Sequence, residues 1–212
     1  MKQIIIYTCA IGLLLTSVIC SAQTKQKATS KSITSQWIDQ NLKQAASQYK
    51  YLMTRVPEGV MPRSYTNDTL RTCTSENWVA GFYPGTLVYL YENTKEKSLY
   101  DEVLKKITLM DKEQTNTGTH DLGFMMYCSY GNLNRITPNA TYKKILVNAA
   151  RSLATRFNPK VGCIRSWGKS NDTTSFRVII DNMMNLELLF WAAKETGDHS
   201  LYDIAVTHAN TT

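Results

Sequence analysis

The tetrapeptide Ser-Leu-Tyr-Asp stands at 98–101 and again at 200–203, each time after an apolar helical run and a short polar turn, "TLVYLYENTKEK" and "LELLFWAAKETGDH". Two apolar segments closed by the same turn and followed by the same helix start are two copies of one helical hairpin. Between them, "THDLGFMMYCSYGN" and "NATYKKILVNAARSLATRF" form a further hairpin of the same style. Hairpins recurring every ~40 to 60 residues predict an all-α solenoid or a closed α/α toroid, because each one needs neighbours to bury its apolar face.

Upstream, Ile33, Trp37, Ile38, Leu42, Ala45, Tyr49 and Leu52 recur at three and four and predict a helix with that face buried. "RVPEGVMPRSYTNDTLRTC" follows as a loop. Pro84 suits a first helical turn, and Ser98 with Asp101 three further on is a capping-box start for "SLYDEVLKKITLMDK". "GCIRSWGKSNDTTSFRVII" lacks helical spacing and is expected as a long loop or short ribbon, of the kind that usually carries function. The pattern reaches Thr212 in mid-helix after about three and a half hairpins. The expectation is therefore the front portion of a larger ring.

Lys2, the mostly apolar Ile4 to Ile19 and the small residues Cys20-Ser21-Ala22 mark residues 1–22 as a secretory signal peptide, followed by a polar linker at 23–32 and the N-terminal part of an α/α-barrel domain at 33–212. Export, with a periplasmic destination, follows. Cys20 as a lipid-bearing cysteine is disfavoured by Ile19 before it, and no membrane contact is expected beyond the cleaved segment. Removal of Lys2 takes the net charge from +7 to +6, but the positive residues are scattered, which speaks against nucleic acid. Cys73, Cys128 and Cys163 are an odd number at wide spacing, so neither a disulfide framework nor a cysteine zinc site is expected.

Asp121 and Asp181 each stand where a loop becomes an apolar helix. Either alone reads as an N-cap, its carboxylate bound to backbone N–H groups. As a pair they suggest more, because the starts of inner helices in a toroid gather at one end of the cavity and two carboxylates could meet there. A helix N-terminus favours the anion. Burial beside Ile179, Ile180, Met183 and Met184, with a second negative charge nearby, favours the neutral acid; "VIID" makes Asp181 the more apolar site, and the more desolvated acid would be the proton donor, but the residues alone leave open which influence wins. Trp78 and Trp167 lie in glycine-flanked loops, where an aromatic face could stack on a sugar; Trp37 and Trp191 fall on helix faces and are expected in the core. His120 has no partner at ligand spacing, so no metal and no cofactor are expected. His199 is placed in a turn, and His208 on a helix face whose partners lie elsewhere.

Taken in order, "ENWVAGFYPGTLVYLYE", "THDLGFMMYCSYG" and "SWGKSNDTTSFRVIIDNMMNLELLFWAAKETGD" resemble the unsaturated glucuronyl hydrolases of glycoside hydrolase family 88, over roughly residues 35 to 212. The resemblance implies a six-hairpin (α/α)6 barrel, about half of it in this chain. It implies an acidic oligosaccharide substrate, cut by a polysaccharide lyase from a glycosaminoglycan or similar polymer and ending in a 4,5-unsaturated uronic acid. It implies Asp181 as proton donor to the double bond, Asp121 as its partner on the ring hydroxyls, and Trp78, Trp167 and His120 along the substrate. The rest of the family's cleft, including groups that set sulfate preference, would lie past Thr212. Two other readings stand beside it: an unsaturated rhamnogalacturonyl hydrolase acting on pectin fragments, and a non-catalytic periplasmic helical-repeat binder of acidic glycans. Oligomeric state is not legible.

Overall fold

The computed structural model describes residues 33–168, 172 and 174–212. The expected signal peptide and linker, at 1–22 and 23–32, lie outside the described residues. Helix α1 (Ser35–Met53) leads through a two-stranded ribbon, β1 (Met61–Thr66) and β2 (Thr69–Cys73), into α2 (Phe82–Thr94) and α3 (Lys97–Ile107). A 3-10 segment (Thr108–Thr115) and a π-helix (Gly123–Gly131) follow, then α4 (Asn132–Ile136), α5 (Ala140–Ala154), the short strands β3 (Phe157–Asn158) and β4 (Cys163–Ile164), α6 (Asn182–Thr196) and α7 (His199–Thr211). No helix among the described residues is long and apolar enough to cross a membrane.

Two layers result. The π-helix packs between α2 and α6, and α1, α3, α5 and α7 back this inner row. Composition sorts the layers. Helices α2 and α6 carry apolar residues round most of their circumference and bury Leu87, Val88, Leu186, Leu188 and Leu189, whereas α3 and α5 bury one stripe each, through Leu99, Val103, Ile145 and Leu153. Glycines set the spacing of the inner row. A methyl group at Gly81 would lie 2.2 Å from the Met125 carbonyl oxygen, and one at Gly85 2.2 Å from that of Cys128, so α2 and the π-helix touch backbone to backbone.

The repeated hairpin is real at the level of its turn. Lys95 after α2 and Gly197 after α6 both take the left-handed conformation, at φ 59° and 73°, and their N–H groups bond the Tyr91 and Ala193 carbonyls. Leu99 and Leu201, the second residues of the two Ser-Leu-Tyr-Asp copies, are both buried. The expected capping box is absent, because α3 already begins at Lys97 with Glu96 ahead of it and no side-chain cap, and Asp101 instead pairs with Lys97 at 2.6 Å.

Further expectations need correction. The buried face of α1 fades toward its start: Leu42, Ala45, Tyr49 and Leu52 pack on the core, whereas Ile33, Trp37 and Ile38 are exposed. Residues 61–73, expected as a loop, form an antiparallel ribbon that turns at Asn67 and Asp68, both with positive φ. Asn and Asp accept that conformation at low cost, which a twisted two-residue hairpin turn requires. The three cysteines are free.

His208, placed by sequence on a face without partners, is fully buried and has two. The Ile164 N–H donates to its Nδ1 at 3.1 Å. Its Nε2 lies 3.3 Å from the side-chain amide nitrogen of Asn182, which also donates to the Ile164 carbonyl at 3.4 Å. Burial, and secondarily His120, pushes the His208 imidazole below its ordinary value. A histidine depressed in the folded state contributes stability that is complete above the unfolded value of about 6.5 and is lost as pH falls below it. Chemical unfolding followed from pH 7.5 to 5 should show a decline on acidification that is shallower in His208→Gln; equal slopes would assign the decline to other groups.

Candidate active site

The chain reaches Asp121 through a segment pinned from below. Buried Glu113 accepts from the Ser75 hydroxyl at 2.7 Å and the Asn116 amide at 2.8 Å, and the Asn116 side chain accepts from the Gly118 N–H. Thr119 then orients the acid. Its hydroxyl donates to Asp121 Oδ2 at 2.8 Å and accepts from the Asp121 N–H at 3.0 Å. The Asp121 carbonyl accepts from the Met125 N–H, so the helix begins directly after the acid. From Gly123 to Gly131 the winding is π, a rare geometry frequent at functional sites.

Asp181 enters from the far end of the long loop. Ser166 ties that loop across, donating its N–H to the Arg177 carbonyl at 2.8 Å and accepting the Ile179 N–H on its hydroxyl at 3.1 Å. Asp181 already has helical backbone angles, and its carboxylate makes no capping bond. Asp181 thus stands at the N-cap position of α6 without a carboxylate-to-backbone capping bond, and the Asp121 carboxylate is engaged by the Thr119 hydroxyl. One oxygen of Asp181, Oδ1, is buried without a hydrogen-bond partner.

The starts of the two inner helices meet at Gly123. A methyl group there would lie 2.5 Å from the Asn185 Cα and 2.9 Å from its carbonyl oxygen. The Asn185 side chain meanwhile accepts the Phe124 N–H at 2.9 Å, filling one of the donor positions that a helix start leaves open. The contact brings the acids together: one ligand-capable atom from each of His120, Asp121 and Asp181 lies within 4.8 Å of the others. His120 Nε2 is 3.5 Å from Asp121 Oδ1, and its Nδ1 is buried and unpartnered. Three such groups could share a proton or hold a cation. Sequence spacing hid this, since Asp121 and Asp181 are sixty residues apart and meet only through the fold.

Around the acids stand the loop aromatics. Trp167 is 51% exposed and meets His120 edge-on at 6.0 Å between ring centroids. Trp78 is 48% exposed and packs against Phe82 and Phe124 at 5.8 and 5.9 Å. Both tryptophans thus keep a free face next to the helix starts. The apolar surroundings expected for Asp181 are only partly present: Met183 packs on the core, but Ile180 and Met184 are 70% and 64% exposed, because they sit on the open side of the inner row. Residues that sequence reasoning missed are Asn185, Arg156 and Arg165. An arginine closing a helix resembles any basic last turn, and nothing nearby in sequence signals its partners.

An inner row of helices with an acid pair at one end and outer helices behind it defines an α/α-barrel protein. No family model matches the chain. An unsaturated glucuronyl hydrolase of Formosa agariphila is 36% identical over 215 aligned residues, covering 100% of this chain and 53% of that protein. An unsaturated chondroitin disaccharide hydrolase of Streptococcus pneumoniae is 32% identical over 134 residues, 62% of this chain and 34% of its own. A crystal structure of an unsaturated glucuronyl hydrolase specific for heparin superposes with TM-score 0.78 at 44% identity, over 84% of this chain and 48% of that one. The chain belongs to the unsaturated glucuronyl hydrolase family and spans about half the length of the curated relatives it matches.

Gly123→Ala should destabilise the fold by about 1–3 kcal/mol, the usual range for forcing extra volume into a packed contact. The added methyl meets backbone, which cannot rotate away. Denaturant midpoints of the variant and wild type measure it, and an unchanged midpoint would show that the helix starts have room to separate.

Proposed function

We propose that the protein to which this chain belongs removes the 4,5-unsaturated uronic acid from lyase-generated glycosaminoglycan fragments by hydrating its double bond. The observation that carries this reading is the convergence of Asp121 and Asp181 beside His120, with the half-exposed Trp167 ring against that histidine. The relatives' names supply the substrate class, and the relative specific for heparin makes heparin-derived unsaturated disaccharides the first to try.

In this reading Asp181 delivers a proton to C4 of the unsaturated ring, leaving positive charge toward C5. The resulting carboxylate takes a proton from the water that adds at C5. The hemiketal so formed opens, and the glycosidic bond parts without further help from the protein. Asp121, aimed by the Thr119 hydroxyl, receives the ring hydroxyls and places a negative charge beside the cationic carbon. Trp167 and Trp78 offer apolar faces to the sugars. Positive residues outnumber negative ones, 24 to 17, which suits an anionic oligosaccharide.

Hydration destroys the conjugated enol ether, so loss of its ultraviolet absorbance reports turnover directly. Asp181→Asn should lower turnover by about 10² to 10⁴, the range for a general acid–base group, while retaining disaccharide binding by calorimetry. A variant as active as wild type would remove Asp181 from the mechanism. Binding without any absorbance loss in wild type would instead favour a non-catalytic glycan binder, and turnover confined to pectin-derived fragments the rhamnogalacturonyl reading. Residues 1–22 support export to the periplasm, and cell fractionation should place the protein there; a cytosolic pool alone would exclude it.

A further inference from the structure

Two buried arginines lie behind the Trp167 loop, Arg156 at 3% and Arg165 at 1% exposure. Arg165 organises the loop that contains it, donating to the carbonyls of Trp167, Asp172 and Ser175 and lying over the Phe176 ring at 4.8 Å. Arg156, at the end of α5, reaches across two segments. Its Nε donates to the Arg165 carbonyl at 2.9 Å, and its Nη2 to those of Ser166 at 3.1 Å and Gly168 at 3.3 Å. The fourth bond leaves the loop: Nη1 donates to the Thr117 carbonyl at 2.7 Å, three residues before His120 and four before Asp121.

Taking a guanidinium out of water costs several kcal/mol unless its donors are met, and four backbone carbonyls meet them here. The carboxylate that bears on it electrostatically is Asp121, one of the paired acids. A rigid fork with donors on three nitrogens can bind two segments at once, whereas a lysine ammonium offers its hydrogens from a single point. Two of the four acceptors, Ser166 and Gly168, flank Trp167. Trp167 is therefore fixed by one side chain relative to the segment that delivers His120 and Asp121.

We propose that Arg156 is a positioning residue that sets the distance between the Trp167 face and the His120–Asp121 pair, and so governs how firmly the terminal sugar is held. The catalytic consequence rests on the hydrolase reading; the clamp itself does not. Asp121 and Asp181 keep their own supports in Thr119 and the Gly123–Asn185 contact, so loosening the clamp should weaken binding more than chemistry.

Arg156→Lys in the 212-residue chain, followed by amide hydrogen exchange, should speed exchange in 116–121 and 163–168 together while the cores of α5 and α6 stay protected. A general loss of stability would raise all of them. In the full-length protein with unsaturated disaccharide, KM should rise on the order of tenfold with kcat little changed. Unchanged exchange at 116–121, or a fall in kcat at constant KM, would overturn the proposal. If Arg156→Lys does not fold, Gly168→Ala serves instead: Gly168 is exposed with φ +80°, so the added methyl strains the carbonyl that Arg156 holds without entering the core. It should give the same KM-weighted loss with a melting temperature lowered by only a few degrees; wild-type KM in a folded Gly168→Ala would count against the clamp. Full-length wild-type protein that leaves the substrate untouched would refute the hydrolase reading, and the exchange pattern would still decide the role of Arg156.

Discussion

The absence of a side chain at position 123 is the constraint on which the site depends. Two carboxylates at about 5 Å repel by roughly 3 kcal/mol when both are charged, taking an effective dielectric of about 20. Nothing attractive between Asp121 and Asp181 holds them there. Backbone packing does, through the close approach of Gly123 to Asn185 and the bond from the Phe124 N–H to the Asn185 side chain. Gly81 and Gly85 perform the same service one helix earlier, so the whole inner row is spaced by glycine and not by the bulk of its Met and aromatic residues. The long apolar side chains then fill the layer behind.

That division explains what could be read from sequence. Apolar periodicity and the duplicated Ser-Leu-Tyr-Asp revealed the hairpins, because an amphipathic helix advertises its period and a buried leucine in each copy keeps the same task. The pairing of the acids was legible only as a consequence of layering. Local rules misled where tertiary structure outweighed them: Ser98 resembles a cap but sits inside α3, and Trp37 is apolar yet exposed. His208 shows the reverse error. Its partners, the Ile164 N–H and Asn182, come from a short strand and a helix start that no helical period could have tied to it.

Burial of charge around Trp167 has a different logic from burial of the acids. Surface pairs such as Arg135 with Glu92 and Lys143 with Glu195 are half-exposed and contribute little, since salt and water screen them. Arg156 and Arg165 are inside, spend their donors on carbonyls, and convert an irregular stretch of backbone into a defined surface. A loop with so few ladder bonds needs such internal donors, because each of its buried carbonyls must find a partner somewhere.

The connections between helices differ sharply in length according to the end at which they lie. At one end α2 joins α3, α4 joins α5 and α6 joins α7 through two or three residues, closed by left-handed turns or an Asn139 cap. At the other end lie the ribbon, the 116–121 segment and the 155–181 loop, and with them both acids, His120 and the two exposed tryptophans. Insertions and deletions at this second end leave helix register untouched, since flexible loops lengthen at small thermodynamic cost. The scaffold can thus stay constant while evolution rewrites what the acids are shown.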